Sequence, residues 1–170
     1  MYGSTESQGG ATDIKIIVAE RGSSGRPVSI QPPSLIGKPL PDLKNLNIEQ
    51  IHDTNDKMMF VCFFDMQQRP SRYCIMQLSK KAQELKEQNI VVIAVQISKI
   101  EKSTLDEWIK EQNISIPVGM IEDNKETTRF TWGVKSLPWL ILTDKKQFIR
   151  AEGFSIAELD QKVGELNDVE

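Results

Sequence analysis

The chain has 170 residues, 39% of them hydrophobic and 26% charged, with a formal net charge of −3. That is the size and make-up of one soluble domain with a small appendage, large enough to bury a core without staples. It lacks any block of basic residues, which argues against a nucleic-acid partner. With two cysteines and one histidine it has too few ligands for a zinc cluster and too few thiols for a disulfide framework, so no metal and no cofactor is expected.

Residues 1–12, rich in Gly, Ser and Thr, read as a disordered leader without the apolar centre of a signal peptide. "IKIIVAE" (14–20) and "VSI" (28–30), separated by the turn residues "RGSSGRP", form a candidate hairpin. Residues 31–43 hold four prolines in thirteen positions, too many for a helix or a central strand. They read as an extended connector, and as a place where an upstream domain could be joined. The organisation expected is therefore a leader (1–12), a hairpin and connector (13–34), and a main domain (35–168). His52 lies in the polar stretch "HDTNDK" and reads as an exposed loop histidine.

"KMMFVCFFD" (57–65) is a continuous apolar run, the mark of a strand buried on both faces. A helix follows, starting near Pro70 or Ser71, because proline suits a first helical turn. Ile75, Leu78, Ala82 and Leu85 give it one apolar face, and Asn89 is its stop. "IVVIAVQIS" (90–98) is a second buried strand. The helix at 103–113 has Ser103 or Thr104 as its cap and Leu105, Trp108 and Ile109 as its stripe. A short strand at 116–121 and a short helix at 124–134 come next, the latter ending near Gly133. Pro138 opens a strand at 137–144, which pairs back with 148–154. The last helix, 155–166, carries Ser155 and Glu158 at capping-box spacing. The pattern implies a mixed sheet with parallel strands, helices on both faces and a terminal hairpin. No run is long and apolar enough to insert in a membrane.

This element order, with a proline at the start of the penultimate strand, resembles the thioredoxin fold. "LIGKPLPDL" (35–43), "FVCFFDMQQRPSR" and "WGVKSLPWLILTD" (132–144) narrow it. They are similar to segments of the redoxins, which include the alkyl hydroperoxide reductase/thiol-specific antioxidant (AhpC/TSA) proteins and bacterial thioredoxin-like thiol–disulfide oxidoreductases. The resemblance covers residues 35 to 166. It implies an oxidoreductase or antioxidant ancestry, a cis Pro138, and an extended peptide held against the backbone beside that proline. Relatives of the bacterial type are often exported; here the compartment is left open, including export as part of a longer bacterial protein.

Counted back from Leu78, the two cysteines of the family's Cys-x-x-Cys fall on Gln68 and Ser71. The motif reads Gln68-Arg69-Pro70-Ser71. A dithiol enzyme needs a thiolate at the helix N-terminus and a second thiol to resolve the mixed disulfide. Amide and hydroxyl groups supply neither, although they could cap the helix or bond a ligand.

Two readings follow. In the first, the domain is a non-catalytic module that binds an extended peptide, a partner protein or a partner domain through Gln68, Arg69, Pro70, Leu137, Pro138 and Trp139. In the second it is a single-cysteine thiol peroxidase. Ser71-Arg72-Tyr73-Cys74 has the local spacing of a peroxiredoxin site, with Cys74 as nucleophile, Ser71 and Arg72 as its aids, and Arg69 or Arg129 as further sources of positive charge. Against it, the proline that begins that motif is replaced by Gln67, and Cys74 falls on the core face with Leu78, Ala82 and Leu85. Cys62, in mid-strand, reads as core, and a Cys62–Cys74 disulfide is left open. Trp139 either walls the groove or packs under the first helix. Asp65 is expected to pair with Arg69 or Arg72. Trp108 and Trp132 read as core, and Tyr73 as an exposed flank. Oligomeric state is not legible.

Overall fold

The central strand owes its place to its composition. β1 (Met58–Phe64) is buried at all seven positions, which only a strand covered on both faces and flanked on both edges can be. Met58, Phe60, Cys62 and Phe64 point into one core, and Met59, Val61 and Phe63 into another. The computed structural model describes residues 31–48, 51, 53–122 and 124–169. The leader, both strands of the expected N-terminal hairpin, and His52 lie outside the described residues.

The sheet has five strands in the order β3-β2-β1-β4-β5. β2 (Ile90–Gln96) lies parallel to β1, and β3 (Val118–Met120) parallel to β2. β4 (Trp139–Thr143) runs antiparallel to β1, and β5 (Ile149–Glu152) antiparallel to β4. Each parallel step needs a crossover, supplied by α1 (Arg69–Glu87) and α2 (Lys102–Glu111). α3 (Lys125–Trp132) then leads to the antiparallel hairpin. α4 (Leu159–Val169) closes the chain after a single 3-10 turn at Ile156–Glu158.

The first core holds the buried face of α1 (Cys74, Ile75, Leu78 and Leu85), Leu105 and Trp108 of α2, and Leu159 and Val163 of α4. The second holds Trp132 of α3, Trp139 and Ile141 of β4, and Leu35 and Leu46 from the proline-rich approach. Burying each leucine or isoleucine contributes about 1.5–3 kcal/mol, so Ile75, Leu78 and Leu85 anchor α1 firmly to the sheet.

Local chemistry sets the ends. Asn124 caps α3 by accepting from the Glu126 and Thr127 N–H groups, and Gly133 stops it in a left-handed conformation. Glu158 reaches back to the Ser155 N–H at 3.0 Å, as the capping-box spacing implies. The expected cap of α2 is different. Glu101, not Ser103 or Thr104, precedes the helix, and its side chain makes no capping bond. Helical geometry begins early because the Glu101 carbonyl already accepts from Thr104 and Leu105, while Lys102 pairs with Asp106 one turn on.

The proline-rich approach is more than a connector. Gly37 N–H donates to the Ile149 carbonyl at 2.7 Å, Ile149 N–H to Lys38 at 2.8 Å, and Leu40 N–H to Gln147 at 2.9 Å. Residues 37–40 thereby pair with the turn before β5 and with its first residue, which blunts the start of an otherwise open sheet edge. Among the described residues no helix is long and apolar enough to cross a membrane.

Candidate functional site

β1 ends at Phe64, and α1 begins five residues later at Arg69 with Pro70 in its first turn. Between them the chain folds over the Asp65 side chain. Asp65 Oδ1 accepts from the Gln67 N–H at 3.0 Å, and Oδ2 from the Ser98 hydroxyl at 2.8 Å. The amide of Gln96 donates to Asp65 Oδ1 at 3.3 Å, and its oxygen accepts from the Met66 N–H at 2.8 Å. The turn is thus tied to the C-terminal end of β2. Burial pushes the Asp65 carboxyl up, but the bonds from Gln67, Ser98 and Gln96, with the charge of Lys125, outweigh it and hold it below the usual range.

The expected ion pair between Asp65 and Arg69 or Arg72 is not formed. Arg72 Nη1 donates instead to the Met66 carbonyl at 2.9 Å, and Arg69 is exposed. Asp65 is saturated by neutral donors closer at hand. The sequence reading missed Gln96 and Ser98. The available signal was a lone amide ending the apolar run of β2, beside a buried carboxylate.

Gln68 sits at the N-cap of α1 and is exposed, yet its side chain makes no capping bond. Ser71 is fully buried one turn on, and its hydroxyl has no hydrogen-bond partner among the described residues. The capping role considered for these two side chains is therefore not used. The pattern of an exposed residue at the helix tip and a buried one three positions later is the layout a dithiol would need.

Cys74 is 2% exposed and lies in the first core, with its sulfur 4.0 Å from that of Cys62. Both thiols are free. Burial, then the hydrogen bond and charge of Cys74, push the Cys62 thiol well up. Arg129, considered as a source of positive charge, pairs with Glu126 at 3.0 Å.

The Leu137–Pro138 peptide bond is cis, as the resemblance implies. Beside it runs a groove of about 320 Å³, lined by Pro70, Tyr73 and Cys74 of α1, by Leu137 and Pro138, and by Phe154 and Ile156. Tyr73 is 60% exposed on its rim. Neither the N–H nor the carbonyl of Leu137 makes a hydrogen bond to another described residue.

Trp139 is not part of the groove wall, nor does it pack under α1. It is buried in the second core, on the opposite face of the sheet, because side chains alternate along β4 and Leu140 takes the α1 side. Its ring lies over Gly153, where a Cβ would stand 2.6 Å from it. Of the six residues expected to bind, Pro70, Leu137 and Pro138 line the groove, while Gln68 and Arg69 lie exposed at the helix tip outside its lining. Among the described residues no group of histidine, cysteine and carboxylate side chains is placed to hold a metal.

A mixed five-stranded sheet of this order, with helices on both faces, defines a thioredoxin-like protein. The AhpC/TSA family model matches residues 36–152, and the chain belongs to that family. Among solved structures it is similar to a domain of a possible thiol-disulfide isomerase from Cytophaga hutchinsonii, with 21% identity and a TM-score of 0.66 over 81% of this chain and 96% of that one. The thioredoxin domain of a thiol-disulfide oxidoreductase from Bacteroides vulgatus gives 19% identity and a TM-score of 0.63, covering 76% and 96%. A thiol-disulfide isomerase from Corynebacterium glutamicum gives 20% identity and a TM-score of 0.59, covering 75% and 95%. No curated protein sequence matches the chain.

Proposed function

We propose that this redoxin domain has lost the dithiol chemistry of its fold and serves as a binding module for an extended peptide or a segment of a partner protein. The observation that carries this reading is the helix tip. Gln68 stands exposed at the N-cap of α1 and Ser71 buried one turn on, so neither position has a thiol. An N-terminal helix dipole lowers the pKa of a thiol placed there, but it cannot make a nucleophile of an amide.

The groove beside Pro138 supplies the binding surface. Tyr73 offers a large rigid face at its rim, and Pro70, Leu137, Phe154 and Ile156 offer apolar floor and walls. The backbone of Leu137 is open to pair with an extended chain, the mode in which main-chain bonds give affinity and side pockets give selectivity. Gln68 and Arg69, at the exposed helix tip, are assigned to the rim of the contact. The competing reading, a peroxidase that turns over at Cys74, is disfavoured by the burial of that sulfur and by the engagement of Arg72 with a backbone carbonyl.

The test is selection of linear peptides from a random displayed library, followed by amide chemical-shift mapping of the best binder on the native chain. Shifts at Tyr73, Leu137 and Gly153 are expected, with at least about tenfold weaker binding for Tyr73→Ala. No enrichment above background, or shifts confined to another face, would overturn the proposal.

A further inference from the structure

We propose that the end of the sheet away from Pro138 carries a second binding site, a basic cavity between α1 and the open edge of β2 that takes a small amphipathic anion, an apolar body with a single carboxylate head. The cavity has a volume of about 510 Å³, within the range of small-ligand sites. Lys57 and Asn89, which line it, directly precede β1 and β2. Pro138 adjoins the other end of β1, where Phe63 pairs with Trp139. The seven residues of β1 set these ends about 20 Å apart, and the cavity and the Pro138 groove share no lining residue. The site does not rest on peptide binding at the groove.

Lys57, Lys80 and Lys86 line the cavity, and none of them forms an ion pair with a described residue. The one carboxylate in the lining, Asp53, accepts from the Asn55 N–H at 3.0 Å. Glu84 and Glu87, on the same turns of α1 as Lys86, stand outside the lining. A chain of net charge −3 thus gathers uncompensated positive charge at one pole. Ala82, Ile90, Val92 and Pro117 give the same cavity apolar surface. It also holds an unused piece of sheet edge. The Ala94 N–H donates to the Pro117 carbonyl and the Ile97 N–H to the Phe64 carbonyl. Even-numbered residues of β2 therefore turn their backbone groups away from β1 and toward β3. Pairing with β3 begins only at Ala94. At Val92 the facing chain offers Pro117, which has no N–H to give, and neither backbone group of Val92 bonds a described residue on that side. Its N–H is open to donate to an anion held by the lysines. The wall is fixed in advance, because the Ser115 N–H donates to Ser79 Oγ at 2.8 Å and Ser115 Oγ to the Ser79 carbonyl at 3.2 Å, pinning the approach to β3 against α1. Three ammonium groups and one N–H beside apolar walls suit one compact head on a hydrocarbon body, and are too few for a polyanion.

The experiment titrates octanoate into the native full chain and follows backbone amide chemical shifts, with octanol as the uncharged control. Octanoate should give saturable shifts at Val92 and Ile116 while Tyr73 and Leu137 stay still. The double variant Lys80→Ala with Lys86→Ala, which changes two exposed side chains, should weaken octanoate binding at least about fivefold. Added salt should weaken it in the same direction. Octanol should move the same amides only at much higher concentration. The proposal is overturned if octanoate gives no saturable shift, if octanol binds as tightly, if the lysine variant binds octanoate unchanged, or if the shifts fall beside Pro138. Binding of hexaglutamate at these amides without binding of octanoate would also overturn it, in favour of an acidic segment of a partner protein.

Discussion

Asp65 carries the most local structure of any polar residue near the helix tip. Its carboxylate holds the Gln67 N–H, the Ser98 hydroxyl and the Gln96 amide, and so fixes the turn that presents Gln68. Replacing it with alanine strands these donors, at a cost of about 1–3 kcal/mol near neutral pH. The pH dependence has a definite sign. A carboxyl whose folded pKa is depressed contributes stability that is fully present above its unfolded value, about 3.9. That contribution is lost as pH falls through the lower, folded value. Urea melts of the native chain and Asp65→Ala should therefore differ at pH 7 and converge in strongly acidic solution. A gap that stays constant down the pH scale would show that the carboxylate's charge is not what holds the turn. None of this was legible from residues 65–72 alone. Local spacing pointed Asp65 at Arg69 or Arg72, whereas its side-chain partners Gln96 and Ser98 arrive with the end of β2, about thirty residues on, and only the sheet brings them together.

The elements were mostly legible because their cores are one-dimensional patterns. β1 and β2 are unbroken apolar runs, and α1 repeats its apolar face at helical spacing, so burial could be read without tertiary knowledge. Helix ends were less legible, because α2 begins on a backbone bond to Glu101 where Ser103 or Thr104 would be the textual choice. Trp139 was misread for a related reason: alternation along a strand gives two faces but not which one meets α1. Two glycines show how the elements constrain substitution. A Cβ at Gly119, in the middle of β3, would stand 2.3 Å from the Leu46 carbonyl, a backbone atom held by its own turn. Gly119→Ala should cost about 1–3 kcal/mol. Gly164, inside α4, has nothing near the same position, and Gly164→Ala should stabilise by about 0.5–1 kcal/mol through helix propensity. Thermal melts of the two variants should move in opposite directions. Equal shifts would mean that the packing of residues 46–48 over β3 does not hold in solution.

At the scale of the whole molecule, the sheet is strongest at its centre. β1 is paired on both edges and covered on both faces, while β3 is a three-residue strand paired on one side by β2. Native-state hydrogen exchange should find the amides of Val61 to Phe63 opening only with global unfolding, and those of β3 opening well below it. The fold and family were readable because "LIGKPLPDL", the β1–α1 segment and the Pro138 segment keep their order and spacing across the chain. The function was less readable, because fold does not fix function, and the loss of a dithiol proposed at Gln68 and Ser71 leaves no reactive side chain there from which a substrate could be read. The most direct measurement is insulin disulfide reduction by dithiothreitol, followed by turbidity, with and without the native chain. The expected result is no acceleration by the native protein, and a clear acceleration by the double variant Gln68→Cys with Ser71→Cys, whose thiols would stand exposed and buried at the tip of α1. Acceleration by the native chain would contradict the proposed loss of exchange chemistry and move the active centre to Cys74.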